Sequence, residues 1–244
     1  MSTYAARLEK VRRLAAVDVA SRKLEPEARR AVARLWARRA AGELSAATTF
    51  AGLHHDCLTS GTNAIITELT GRAVADEGFH GALSLVMAEH YLEAPLPPPL
   101  ARADALRFES CASDVAPALR FLLHCALNET IAVAYLRQCL REARSVLVRA
   151  ALRELLHDEV DHSRVGWAYV ATVVAQPTIR DSLCRELPAL LDTVRSAWCE
   201  PENDSGCPLG HGGLSELGTR AVTEEALRTL ILPGLARFGV EFSG

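Results

Sequence analysis

No C-x-x-C pair occurs anywhere in the chain, and its seven cysteines, Cys57, Cys111, Cys125, Cys139, Cys184, Cys199 and Cys207, are odd in number. The C-x-x-C class of redox and metal motifs is thereby excluded, as is a fully paired disulfide framework; free thiols in a reducing compartment are expected. The N-terminal stretch MSTYAARLEKVRR lacks the apolar run of a signal peptide, so a cytoplasmic location is expected. Apolar runs are short throughout. The longest, VGWAYVATVVA at 165 to 175, falls well below the roughly 20 residues that span a bilayer, and no membrane segment is expected. Neither sign of charge is in excess: 27 Lys and Arg stand against 30 Asp and Glu, with a pI near 6.3, which removes the basic footprint of a nucleic-acid binder. The five arginines of RRAVARLWARR, 29 to 39, spread around a helix and read as a solvated face. Alternating Val, Ile and Thr runs are missing too, so no strand is expected.

What fills the 244 residues is Ala, Leu, Arg and Glu in long stretches free of Gly and Pro. This is an all-α composition, and 49% apolar content is enough for one filled core. A single domain, 1 to 244, is expected. Its first helix covers about 3 to 22, and the second begins at Pro26, a favourable first-turn proline, and runs to about Ser60 before Gly61. A third covers about 62 to 93. The segment APLPPPLARAD, 94 to 104, reads as a stiff extended connector. Two more long helices follow, about 114 to 143 and 146 to 176. Beyond them a C-terminal helical extension spans about 178 to 244, with a break or kink near Pro188, a loop at 201 to 218 and a short last helix to about Phe238.

Two of the long helices carry the same short pattern, ADEGFH at 75 to 80 and HDEVDH at 157 to 162. At about 100° per residue, Glu77 and His80 share a face one turn apart, as do Glu159 and His162. Ala73, Ser84 and Met87 lie on the first face; Leu152, Leu155, Gly166 and Tyr169 lie on the second. A carboxylate and an imidazole pointed among apolar neighbours are costly to bury unless they are paired or hold a metal. The other two long helices each carry a lone acid in an apolar stripe. Glu43 sits among Trp36, Ala40, Ala47 and Phe50, and Glu129 among Leu122, Cys125, Ala126, Val133 and Leu136. Glu43 precedes Glu77 by 34 residues and Glu129 precedes Glu159 by 30. Antiparallel helices joined by short turns bring acids so spaced to one height.

Glu43, Asp76-Glu77-x-x-His80, Glu129 and Asp158-Glu159-x-x-His162 together resemble the ferritin-like di-iron carboxylate proteins, in their oxygen-activating branch. The resemblance covers about residues 26 to 176 and implies a ferritin-like four-helix bundle, with the 94 to 113 connector as its crossover between core helices 2 and 3. It implies that Glu77 and Glu159 bridge or chelate two metal ions, that Glu43 and Glu129 are terminal carboxylates, and that His80 and His162 each bind one ion. Asp76 and Asp158 match the Asp that orients a ligand His through its other ring nitrogen. The implied cofactors are two Fe ions, or a Mn/Fe pair, with dioxygen as co-substrate.

The spacing, written twice, is similar to that of the arylamine N-oxygenases, but Leu155 stands where those enzymes place a further His ligand. Hydroxylation, N-oxygenation, desaturation and oxidative cleavage stay open. The function expected is a di-iron oxidase or oxygenase acting on a small organic substrate and fed by an external electron donor; a homodimer is compatible with such a helical chain. The alternatives are a rubrerythrin-like peroxide scavenger, which lacks its C-x-x-C module here, a ferritin-like iron store, for which the core helices carry few acids, and a bundle that only binds a partner. Cys125, Tyr169, Ala47 and Val133 are candidate cavity residues, although Cys125 reads first as a core thiol and Tyr169 as a core tyrosine. Glu154-x-x-His157 repeats the short pattern but is turned roughly 140° away, which makes it an outer-face pair. His54, His55 and Trp36 read as structural.

Overall fold

A computed structural model describes residues 3–101, 108, 111, 112, 114–199 and 208–241, all of whose regular structure is helical. Cys207, and part of both the 94 to 113 connector and the 201 to 218 loop, lie outside the described residues. Helix α1 spans Thr3–Val17, α2 Pro26–Ser60 and α3 Ala64–Leu92. Then come α4 (Val115–Arg120), a π-helical stretch (Phe121–Asn128) and α5 (Glu129–Glu142), which together form one rod. After these follow α6 (Val146–Val173), α7 (Pro177–Cys199), α8 (Glu216–Ala226), a short π turn (Leu227–Ile231) and α9 (Leu232–Ala236).

Local chemistry sets the two hairpins on which everything else rests. Pro26 opens α2 where no N–H is needed, and Gly61, at φ 68°, takes the left-handed conformation that ends it. Two residues later the Asn63 side chain accepts from Ile65 N at 2.9 Å and starts α3, so α2 and α3 fold back on each other. Ser145, accepting from Val148 N at 3.0 Å, does the same for α6 after α5. The hairpins meet through α3 and α6.

Several boundaries differ from expectation, each for a physical reason. The first helix stops at Val17, because the Asp18 carboxylate accepts from Ser21 N and a single 3-10 turn follows. Pro188 sits inside α7 without ending it. An interior proline costs about 3 kcal/mol, while Leu187, Leu190, Leu191 and Val194 around it are all buried, at about 1.5 to 3 kcal/mol each. Ser215 caps α8 by accepting from Gly218 N, so helix replaces the end of the expected loop. The fourth long helix is not uniformly α: its period widens over Phe121–Asn128. There α6 lies so close that a Cβ at Gly166 would run into the Ala126 nitrogen and Cys125, and the Thr130 hydroxyl donates to the Ala126 carbonyl. Among the described residues one helix, Val115–Glu142, is long and apolar enough by length and composition to cross a membrane, and 61% of its most apolar window is buried inside the protein.

The apolar core is divided. One cluster, with Phe50, Leu53, Phe121, Leu122, Tyr169, Leu187 and Ile231, fills one end. A second, with Trp36, Leu83, Met87, Tyr91, Leu152 and Leu155, fills the other. Buried Asp76, Glu77, His80, Glu129, Asp158, Glu159 and His162 belong to neither cluster. Six free cysteines are present among the described residues.

Candidate metal centre

Four helices deliver six side chains that could hold metal to one place: Glu43 from α2, Glu77 and His80 from α3, Glu129 from α5, and Glu159 and His162 from α6. Ligand atoms of Glu43, Glu77, His80 and Glu159 lie within 4.8 Å of one another, and so do those of Glu77, Glu129, Glu159 and His162. Glu77 and Glu159 belong to both groups. Their oxygens divide between the histidines: His80 Nδ1 lies 3.5 Å from Glu77 Oε2 and 3.3 Å from Glu159 Oε1, whereas His162 Nδ1 lies 3.0 Å from Glu77 Oε1 and 3.1 Å from Glu159 Oε2. Each of the two carboxylates thus spans both groups. The imidazole centroids are 5.9 Å apart, and Phe50 packs on His162 at 5.0 Å.

Burial makes this arrangement expensive without a cation. His80 is fully buried, Glu77, Glu159 and His162 are nearly so, and Glu129 is 8% exposed; Glu43 is half-buried. Burial, then the charges of Glu77 and Glu159, push the Glu43 carboxyl well up; burial and the same two charges do so for Glu129. Burial alone would lower His80 and His162, but the carboxylates they face, Asp158 and Glu159 for the first and Asp76 and Glu159 for the second, raise both well above the usual imidazole range. Glu159 is held far below the carboxylate range by the two histidines, against its burial. Without a cation, proton binding is thus favoured at Glu43, Glu129, His80 and His162. Neither oxygen of Glu77, nor His80 Nδ1, has a well-formed hydrogen bond. Buried Glu77 oxygens and a His80 Nδ1 without well-formed hydrogen bonds, converging with the carboxylates of Glu43, Glu129 and Glu159, fit divalent metal ions with O and N preference.

Both histidines turn Nε2 outward to an aspartate of the opposite helix: His80 to Asp158 Oδ2 at 3.1 Å, and His162 to Asp76 Oδ2 at 3.4 Å. The sequence pattern does not say which Asp serves which His. Outside these aspartates lie groups that no motif marked: Tyr4 and Arg7 of α1, and Arg72 of α3. Arg7 and Lys10 also hold Glu154, while His157 bonds only the outer oxygen of Asp158 and is largely exposed. The third Glu-x-x-His therefore stays out of the cluster.

Of the four cavity candidates, Cys125 is buried in the π stretch, its thiol pushed well up by burial and then by Glu129. Tyr169 stacks on Phe121 at 3.8 Å, and burial raises its hydroxyl to about 12. Val133 is buried on α5 and Ala47 half-buried on α2. Trp36 is fully buried and donates from Nε1 to the His211 carbonyl. His54 Nδ1 lies 2.9 Å from the Thr67 carbonyl and ties α2 to α3; His55 is exposed.

Comparison with models of protein families, with curated proteins and with solved structures finds no match for this chain.

Proposed function

We propose that the protein is a non-haem di-iron oxidase or oxygenase of ferritin-like architecture, which oxidises a small organic substrate with dioxygen and takes electrons from an external donor. The observation that carries this reading is the sharing of Glu77 and Glu159, each of which offers one oxygen to either histidine group. Such sharing is what two adjacent ions need, and a single ion would not use it. Two bound iron ions supply the two-electron chemistry by which dioxygen is activated.

The rest is supplied by the chain. Four carboxylates, Glu43, Glu77, Glu129 and Glu159, neutralise two divalent charges. Asp158 and Asp76 hold the Nε2 protons of His80 and His162, so that both Nδ1 lone pairs face the cluster. Apolar clusters on either side exclude water from the reacting volume. Residues 41 to 49 of α2 are all half-buried or exposed, and Glu43 is the least buried of the six candidate ligands.

The test is metal analysis of the purified protein, followed by anaerobic Fe(II) loading and mixing with oxygen while absorbance and oxygen uptake are followed. Two irons per chain and rapid oxygen consumption are expected. Iron uptake that continues far beyond two ions would identify an iron store, and absence of metal uptake would overturn the reading.

A further inference from the structure

Helix α1 lies across α3 and α6 on the outer side of the cluster, and two of its side chains, one turn apart, reach the two aspartates behind the histidines. Tyr4 donates its hydroxyl to Asp76 Oδ1 at 2.6 Å. Arg7 donates from Nη2 to Asp158 Oδ2 at 2.8 Å, the oxygen that also faces His80 Nε2. Two parallel relays result: Tyr4 to Asp76 to His162, and Arg7 to Asp158 to His80. We propose that Tyr4 and Arg7 are positioning residues for the two metal-binding histidines, one for each, and that docking of α1 is thereby coupled to metal loading.

The inference rests on the metal-binding reading above and adds to it a role for a helix outside the ligand-bearing four. Its physical basis is that an aspartate holds an imidazole only as well as it is itself held. Asp76 and Asp158 are 2% and 1% exposed, and each carries several partners. Arg72 approaches Asp76 Oδ2 at 3.4 Å and Asp158 Oδ1 at 3.9 Å, and His157 binds Asp158 Oδ1 at 2.7 Å. Among the described residues only the α1 groups come from outside α3 and α6, and theirs are among the shortest contacts. Tyr4 and Arg7 are themselves fixed: the Tyr4 ring stacks on Phe79 at 5.4 Å, the Arg7 guanidinium lies 4.3 Å over the same ring, and Arg7 also grips Glu154. Val11 is the single buried residue of α1, with Leu8, Leu14 and Ala15 packed against the same core, and this polar face adds to what holds the helix down. Coupling free energy is reciprocal: if a docked α1 tightens metal binding, bound metal tightens α1.

The experiment is a Co(II) titration of the full-length apoprotein, followed by ligand-field absorption, for wild type, Tyr4→Phe and Arg7→Gln. Each is also made in a Glu43→Ala background, where the His162 group is the intact one, and a Glu129→Ala background, where the His80 group is. Tyr4→Phe keeps the ring on Phe79 and removes only the donor. It is expected to weaken cobalt binding about tenfold in the Glu43→Ala background and to leave the Glu129→Ala background unchanged; Arg7→Gln is expected to do the reverse. Hydrogen exchange in residues 3 to 17 is expected to slow when wild type is loaded with metal. Unchanged affinities in both backgrounds, or equal losses in both, would overturn the inference, since a helix that merely covers the bundle does not distinguish the two groups. A wild-type protein that takes up no metal would overturn the metal reading itself, and is recognised before any variant is compared.

Discussion

His80 Nε2 is held by Asp158, 78 positions further along the chain and on the opposite helix, and not by Asp76, which lies four residues before it in its own helix. The two Asp-Glu-x-x-His patterns are therefore interlocked, each supplying the aspartate for the other's histidine. Asp158→Asn keeps the shape and removes the charge that orients His80. It is expected to weaken one metal equivalent about 10- to 100-fold while the other is retained, as measured by metal titration.

Glu129→Gln should separate function from stability. Burial and the charges of Glu159 and Glu77 push this carboxyl well up, so at pH 8 the folded apoprotein either keeps a proton at unfavourable pH or carries a repelled charge. Replacing the acid with an amide is expected to remove one metal equivalent and yet raise the apoprotein Tm by about 2 to 4 °C, which scanning calorimetry at pH 8 measures. A fall in apoprotein Tm would show that the carboxyl is not under this penalty.

The pH dependence follows with a definite sign. Glu43, Glu129, His80 and His162 all have folded-state values raised above their ordinary ones. Their contribution to apoprotein stability is therefore full at low pH and lost as pH rises through the raised values. Metal ions replace those protons, so metal binding releases protons and strengthens as pH rises. The increase in Tm on adding Mn(II) is expected to be larger at pH 8 than at pH 5.5; an equal increase at both would contradict it.

Gly166→Ala places a methyl group against the backbone of Ala126 and Cys125, within the π stretch that leads into Glu129. Backbone cannot yield as a side-chain tip does, so a loss of about 1 to 3 kcal/mol is expected by urea unfolding. Displacement of Glu129 should accompany it as weakened metal binding.

Glu154→Ala tests the third Glu-x-x-His. Its carboxylate faces Arg7 and Lys10, away from the cluster. Two metal equivalents are expected to remain, and loss of one by elemental analysis would place Glu154 among the ligands.

The helices were legible because their signals are local. Pro26 and Gly61 act within one turn of themselves, as do the Asn63 and Ser145 caps that the structure adds, and the inward Glu and His are visible as polar breaks in apolar stripes. Pro188 does not break α7 because a proline's penalty is local while the burial that outweighs it is not. The π stretch left no mark in composition; it depends on α6 pressing against Cys125 and Ala126 at Gly166.

By itself the sequence determined an all-helical chain and the six side chains that share a height once two hairpins form, since periodicity and spacing within a hairpin are properties of one strand of chain. Only the tertiary structure decided which oxygen of Glu77 and Glu159 faces which histidine, that each aspartate serves the opposite helix, and that Tyr4 and Arg7 stand behind them. Apart from the one-turn pairs Glu77–His80 and Glu159–His162, those contacts join residues about 70 to 150 positions apart across separate helices, where crossing geometry, not spacing along the chain, sets what touches what.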